Sequence, residues 1–148
     1  MRTRCWTVGF SILFALAAAA GCGTSATGIT VAIQPNPVTA VPAAAGTALY
    51  SASWDVVVSD LTGVGGIVQS IDATVGGSAV DLDDAQDQNF GQPTGQSSLG
   101  AFDRRTFHQA GLFAISSGGS ATLSVTAHFR AQDGTTHQAT ATARVTVR

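Results

Sequence analysis

Apolar and polar residues alternate most strictly at the carboxyl end of the chain, where Ala121, Leu123, Val125, Ala127 and Phe129 are interleaved with Thr122, Ser124, Thr126, His128 and Arg130. A period of two is what a strand with one buried face requires, so the odd positions are predicted to face a core. After Gln132-Asp133-Gly134 the same parity resumes, with Ala139, Ala141, Ala143, Val145 and Val147 inward and Thr140, Thr142, Arg144 and Thr146 outward. The two runs predict a hairpin, and matching their faces sets its loop length. A two-residue Asp-Gly turn would put Phe129 opposite Gln138, an apolar face against a polar one. A three-residue loop, with Gln132 and Asp133 in a type I turn and Gly134 left-handed, puts Phe129 opposite His137 and Leu123 opposite Ala143.

Upstream the same period recurs. Tyr50, Ala52, Trp54, Val56 and Val58 predict a strand from about Ala48 to Ser59. After Gly63-Val64-Gly65-Gly66, the residues Ile67, Ile71, Ala73 and Val75 are read as inward and Val68, Ser70, Asp72 and Thr74 as outward. Ile29 to Gln34 predicts a first strand, stopped by Pro35 and Pro37. From Gly76 to Gly119 the pattern is less regular, with strands expected over Phe102 to Phe107 and Leu112 to Ile115. Helical periodicity is essentially absent.

Short strands of this kind over residues 29–148 predict an all-β fold, a two-sheet antiparallel β-sandwich of about seven strands. The stretches "SATLSVTAHFRAQDG" and "ATATARVTV" resemble the last two strands of bacterial surface immunoglobulin-like domains. That resemblance implies an immunoglobulin-like sandwich without the cysteine pair of antibody domains. Fibronectin-like and jelly-roll sandwiches carry a similar pattern.

The amino terminus is patterned differently. Arg2 and Arg4 precede an apolar run from about Trp6 to Ala20 that closes on small residues before Cys22, which is the layout of a secretory signal peptide. The run is short for a permanent span, which takes about 20 apolar residues. Ala19-Ala20-Gly21-Cys22 resembles the lipobox of bacterial lipoproteins, with Ala19 where leucine is most usual. The resemblance implies a signal peptide over 1–21, cleavage before Cys22, and a diacylglycerol on its thiol, with 22–28 as a tether. Gly23 rather than Asp after the cysteine implies, in a double-membraned bacterium, the outer membrane of the cell envelope. Cleavage after one of Ala17 to Ala20 is the rival, and it would leave Cys22 as an exposed thiol in an oxidising compartment. Cys5 leaves with the signal peptide on either reading, so the domain has no internal disulfide.

Composition narrows the chemistry. With 45% hydrophobic and 11% charged residues the chain is expected to fold rather than remain a charged tail. Every acid is Asp and every base is Arg. The absence of Lys removes lysine-based nucleophiles, and the sparse arginines form no patch to neutralise a row of phosphates, so nucleic acid is not an expected partner. Gly95-Gln96-Ser97-Ser98-Leu99-Gly100 lacks the glycine spacing of a nucleophile elbow. The expectation is a non-enzymatic module with a protein or glycan partner; a small secreted hydrolase is the weaker alternative.

Two sets of residues qualify as candidate sites. Asp81, Asp83, Asp84 and Asp87, in "DLDDAQDQN", bring four carboxylates together, the ligand type that Ca²⁺ takes, and suggest a calcium-assisted adhesion or carbohydrate-binding module as an alternative. An EF-hand fails, because Gln86 and Gln92 stand where glycine and an acid belong, and a solvated acidic loop explains the same run. Phe90, Phe102, Arg104 and Arg105 combine aromatics with charge in the irregular segment, the composition expected of a recognition loop. His108, His128 and His137 do not read as a zinc site, since the hairpin register sends His128 outward and His137 inward. Trp54 shares the parity of Val56 and reads as core rather than as a sugar platform.

Overall fold

The alternating runs become strands wherever a partner ladder is within reach. The computed structural model describes residues 28–82, 97–115 and 120–148, and within them every regular element is a strand. Seven strands are longer than two residues: β1 (Ile29–Gln34), β2 (Val38–Pro42), β3 (Leu49–Asp60), β4 (Gly66–Val75), β8 (Arg104–Ala114), β9 (Ser120–Ala131) and β10 (Thr136–Val147). Three two-residue strands, β5 (Ser78–Ala79), β6 (Asp81–Leu82) and β7 (Ser98–Leu99), join the edges.

Two sheets pack face to face. One runs β5-β4-β9-β10-β2, with β7 also on β4; the other runs β2-β3-β8-β6, with β1 also on β3. The inward positions of both sheets form one core, in which Trp54, Phe107, Leu123 and Phe129 are among the largest fully buried side chains. The fold is therefore an all-β sandwich.

The β9-β10 hairpin has the register derived from the sequence: Phe129 lies opposite His137 and Leu123 opposite Ala143. Ala131 accepts the Gly134 N–H at 2.9 Å, closing a four-residue turn, and Gly134 has φ +88°, which glycine adopts without a Cβ clash. Thr135 then accepts the Ala131 N–H at 2.8 Å.

Four expectations are corrected. In β4, Val68 faces the core and Ile67 is the partly exposed residue, the reverse of the expected assignment. A β-bulge explains it, because the register on β9 moves from Val68 opposite Phe129 to Ser70 opposite His128, so Gln69 is an extra residue that flips parity between Val68 and Ile71. The two strands expected over Phe102–Phe107 and Leu112–Ile115 are one strand, β8, continuous through Gly111 and paired with β3 from Arg104 to Ala114. Phe102 lies outside it, in a turn.

The sequence pattern predicts no element over Val38–Pro42, which is nevertheless a strand, three residues after β1. It forms because the chain changes sheets there. β1 lies antiparallel along the Asp55–Asp60 end of β3, and after Pro35 and Pro37 the chain crosses so that β2 lies parallel to β10, Val38 opposite Val145. That parallel pair is also the exception to the expected antiparallel sandwich.

Candidate functional site

One pole of the sandwich collects the most distinctive local chemistry. There β1 begins, with Ile29 opposite Asp60; β3 ends, β4 and β8 begin, and β9 turns into β10. The chain enters the fold at the same pole, through Gly28, whose carbonyl accepts the Leu61 N–H at 2.7 Å.

Asp60 organises this end. It is 2% exposed, on the inward parity of β3, and its carboxylate is satisfied by donors of the surrounding loops. Oδ1 accepts the Thr62 N–H at 2.7 Å and the Thr62 hydroxyl at 2.5 Å. Oδ2 accepts the Gly65 N–H at 3.1 Å and the Phe102 N–H at 3.2 Å. Burial pulls the carboxyl upward, but these four donors together hold it below the ordinary carboxylate value. One buried anion thus ties the β3-β4 loop to the turn before β8. The backbone continues the connection: Asp60 N–H donates to the Asp103 carbonyl at 2.9 Å, and Gln132 N–H of the hairpin tip donates to the Gly65 carbonyl at 3.0 Å.

The frame displays apolar side chains. Phe102 is 75% exposed, Leu61 55% and Val64 41%. Phe102 has φ +56°, a left-handed conformation that costs a non-glycine residue about 1–2 kcal/mol. It is held there because its N–H is directed at Asp60, and its ring lies over Gly63, in the space a Cβ at that position would occupy. Gly63 has φ +76°, so glycine serves both the turn and the ring. The polar groups around the patch are engaged locally: Asp103 Oδ1 accepts the Arg104 N–H at 2.7 Å, and Asp133 Oδ1 accepts the N–H and hydroxyl of Thr135 at 2.9 and 2.6 Å.

The remaining sequence candidates are distributed elsewhere. Arg104 and Arg105 open β8 opposite Ser59 and Val58, next to Phe102 in the chain; as successive strand residues they point to opposite faces, Arg104 outward and Arg105 on the parity of Phe107, so the two do not form one face. Asp81 does not join them. It is exposed in β6 opposite Leu112, eight residues along β8 from Arg104, or about 26 Å at strand rise. Asp83, Asp84, Asp87 and Phe90 lie outside the described residues, as does Cys22. Among the described residues no three His, Cys, Asp or Glu side chains converge as a metal site would need. Asp81 instead borders an open groove of about 800 Å³ on the outer face of β3 and β8, with Val41, Ser53, Leu82 and Leu112.

The histidines are engaged across strands. His108 Nδ1 lies 2.8 Å from Asp55, and His128 Nε2 lies 3.0 Å from Asp72, on the outer faces of the two sheets. His137 Nε2 lies 3.1 Å from the Thr135 hydroxyl, and its ring tilts against Phe129. His128 and His137 both border a hollow of about 190 Å³ beside Gln69. Trp54 is a core residue, 1% exposed, and its indole N–H has no partner among the described residues.

Asp60, Leu61 and Val64 were not singled out by sequence reasoning. A signal exists for the first: Asp60-Leu61-Thr62 and Asp133-Gly134-Thr135 share the Asp-x-Thr spacing, and in both the carboxylate accepts the N–H and hydroxyl of the threonine two residues on. No family model, no curated protein and no solved structure matches the chain.

Proposed function

We propose that this protein is a lipid-anchored, non-enzymatic module of a bacterial envelope, an immunoglobulin-like domain that recognises a protein or glycan partner. The observation that carries the reading is the entry of the sandwich at Gly28, six residues after Cys22, so that a lipobox-like leader runs almost directly into a folded β-domain. The strand order supports the immunoglobulin-like assignment. With β1 and β2 counted as one broken edge strand, the first, second, fifth and fourth strands (β1/β2, β3, β8, β6) form one sheet and the third, sixth and seventh (β4, β9, β10) the other. Binding rather than catalysis is favoured by where the titratable pairs stand. His108 with Asp55 and His128 with Asp72 lie on open sheet faces rather than in a cleft that would exclude water.

Labelled palmitate fed to cells expressing the full chain tests the anchor. The protein should carry label and sediment with membranes, and Cys22→Ser should lose both. An unlabelled protein, or one whose membrane association survives Cys22→Ser, overturns the lipid-anchored reading. Turnover of ester or peptide substrates above background would overturn the non-enzymatic one.

A further inference from the structure

We infer that the pole built on Asp60 seats on the lipid bilayer, with Phe102, Leu61 and Val64 entering the interfacial region. The inference rests on the lipid-anchored reading and adds an orientation and a contact surface to it.

Three observations lead there. The exposed apolar side chains at this pole lie on two loops that share one carboxylate, so they are presented together: Leu61 and Val64 follow Asp60, and Phe102 is held to it through its N–H. The chain enters at the same pole. Gly28 is hydrogen-bonded to Leu61 itself, and six residues from Cys22 reach at most about 20 Å. A lipid on Cys22 therefore confines this end of the sandwich, and not the one bearing Leu49 and Val41, to the neighbourhood of the membrane. Finally, the acids of the pole are engaged by N–H and hydroxyl donors of the pole itself, Asp60 by Thr62, Gly65 and Phe102, Asp103 by Arg104, and Asp133 by Thr135. Arg104 is exposed at the start of β8 beside them, suited to lipid phosphates.

The backbone of Phe102 points the same way. A large apolar residue in a left-handed turn is locally unfavourable, and Asn or Gly would suit the conformation better. An aromatic at that position is accounted for if the ring works outside the fold, at the depth where amphipathic and aromatic groups partition. Tethering makes each contact effectively intramolecular, so a few side chains suffice to orient a domain that they would not bind to a membrane unaided.

The test places a reporter at the pole. The acylated full-length protein carrying Phe102→Trp is reconstituted into vesicles of phosphatidylethanolamine and phosphatidylglycerol containing brominated acyl chains, and compared with Leu49→Trp at the far pole. Trp54 is buried in both and gives a common background, and Trp6 leaves with the leader. The expected result is blue-shifted emission and bromine quenching at position 102, none at position 49, and loss of the quenching when Leu61→Ser and Val64→Ser are added. Palmitate label without quenching at 102, or equal quenching at 102 and 49, overturns the docking and leaves the anchor standing. Absence of label removes the anchor and the docking with it.

Discussion

Replacing Asp60 with Ala should cost about 2–4 kcal/mol, because it leaves the donors gathered around a buried carboxylate without their acceptor. The magnitude follows from what is left behind. Asp60 is 2% exposed and accepts four hydrogen bonds, three of them from backbone N–H groups of Thr62, Gly65 and Phe102. An orphaned buried donor costs about 1–3 kcal/mol, and Thr62 and Phe102 are near enough to solvent to recover part of it by hydration. Asp60→Asn keeps one acceptor oxygen and should lose about half as much. Urea unfolding of the full chain, with the slope unchanged, reads the difference directly. Asp103→Ala is the control, since Asp103 is an exposed carboxylate of the same pole and should cost under about 1 kcal/mol. The acid limb of the stability curve provides a second readout. The folded carboxyl of Asp60 lies below its unfolded value, so its stabilisation is complete above about pH 4 and is lost as pH falls through the folded value. Asp60→Asn should flatten that limb and leave stability between pH 5 and 7 uniformly lower. A loss under about 1 kcal/mol in Asp60→Ala, or an acid limb unchanged in Asp60→Asn, would refute the argument that this anion holds the pole together.

Three further outcomes are expected. Leu123→Ala should lose about 2–5 kcal/mol in urea unfolding, because Leu123 is fully buried in β9 and leaves a cavity; a loss under about 0.5 kcal/mol would mean that the strand faces are reversed. Deleting Gln69 should leave a folded protein with the same sheet signature in circular dichroism, since it removes the extra residue and restores an unbroken ladder of β4 on β9, whereas deleting Asp72 turns Ile71 and Ala73 out of phase and should prevent folding. Phe102→Asn should melt at the same temperature as the parent or higher, by up to about 1 kcal/mol, because Asn accepts the left-handed turn; clear destabilisation would show that the ring supports the fold rather than working outside it.

Whatever depends on near neighbours along the chain is legible in residue order alone. Strand faces follow from alternation, and the register of β9 on β10 follows from joining two faces through a loop of three residues, so Phe129 opposite His137 could be worked out before any tertiary contact was known. Ile29 to Gln34 ends where it was expected to because Pro35 stops a strand from within the chain. Tertiary structure decided whatever depended on which strand lies alongside. The bulge at Gln69 is a mismatch between β4 and β9, two strands distant in sequence, and Ile67-Val68-Gln69-Ser70 does not encode on its own which of the two apolar residues turns inward. Gly111 lies inside β8, whose eleven residues pair with β3 without a break, and that support overrides the local weakness of glycine in a strand. Val38–Pro42 becomes a strand only because β10 offers a parallel edge beside it. The pole is the clearest case: Asp60 and Phe102 are 42 residues apart, and an Asp-x-Thr turn could be recognised in the first without any sign that the second supplies the last donor to its carboxylate. Hydrophobic periodicity reports which face of a strand is dry, while the company kept by a buried charge is fixed when distant loops converge.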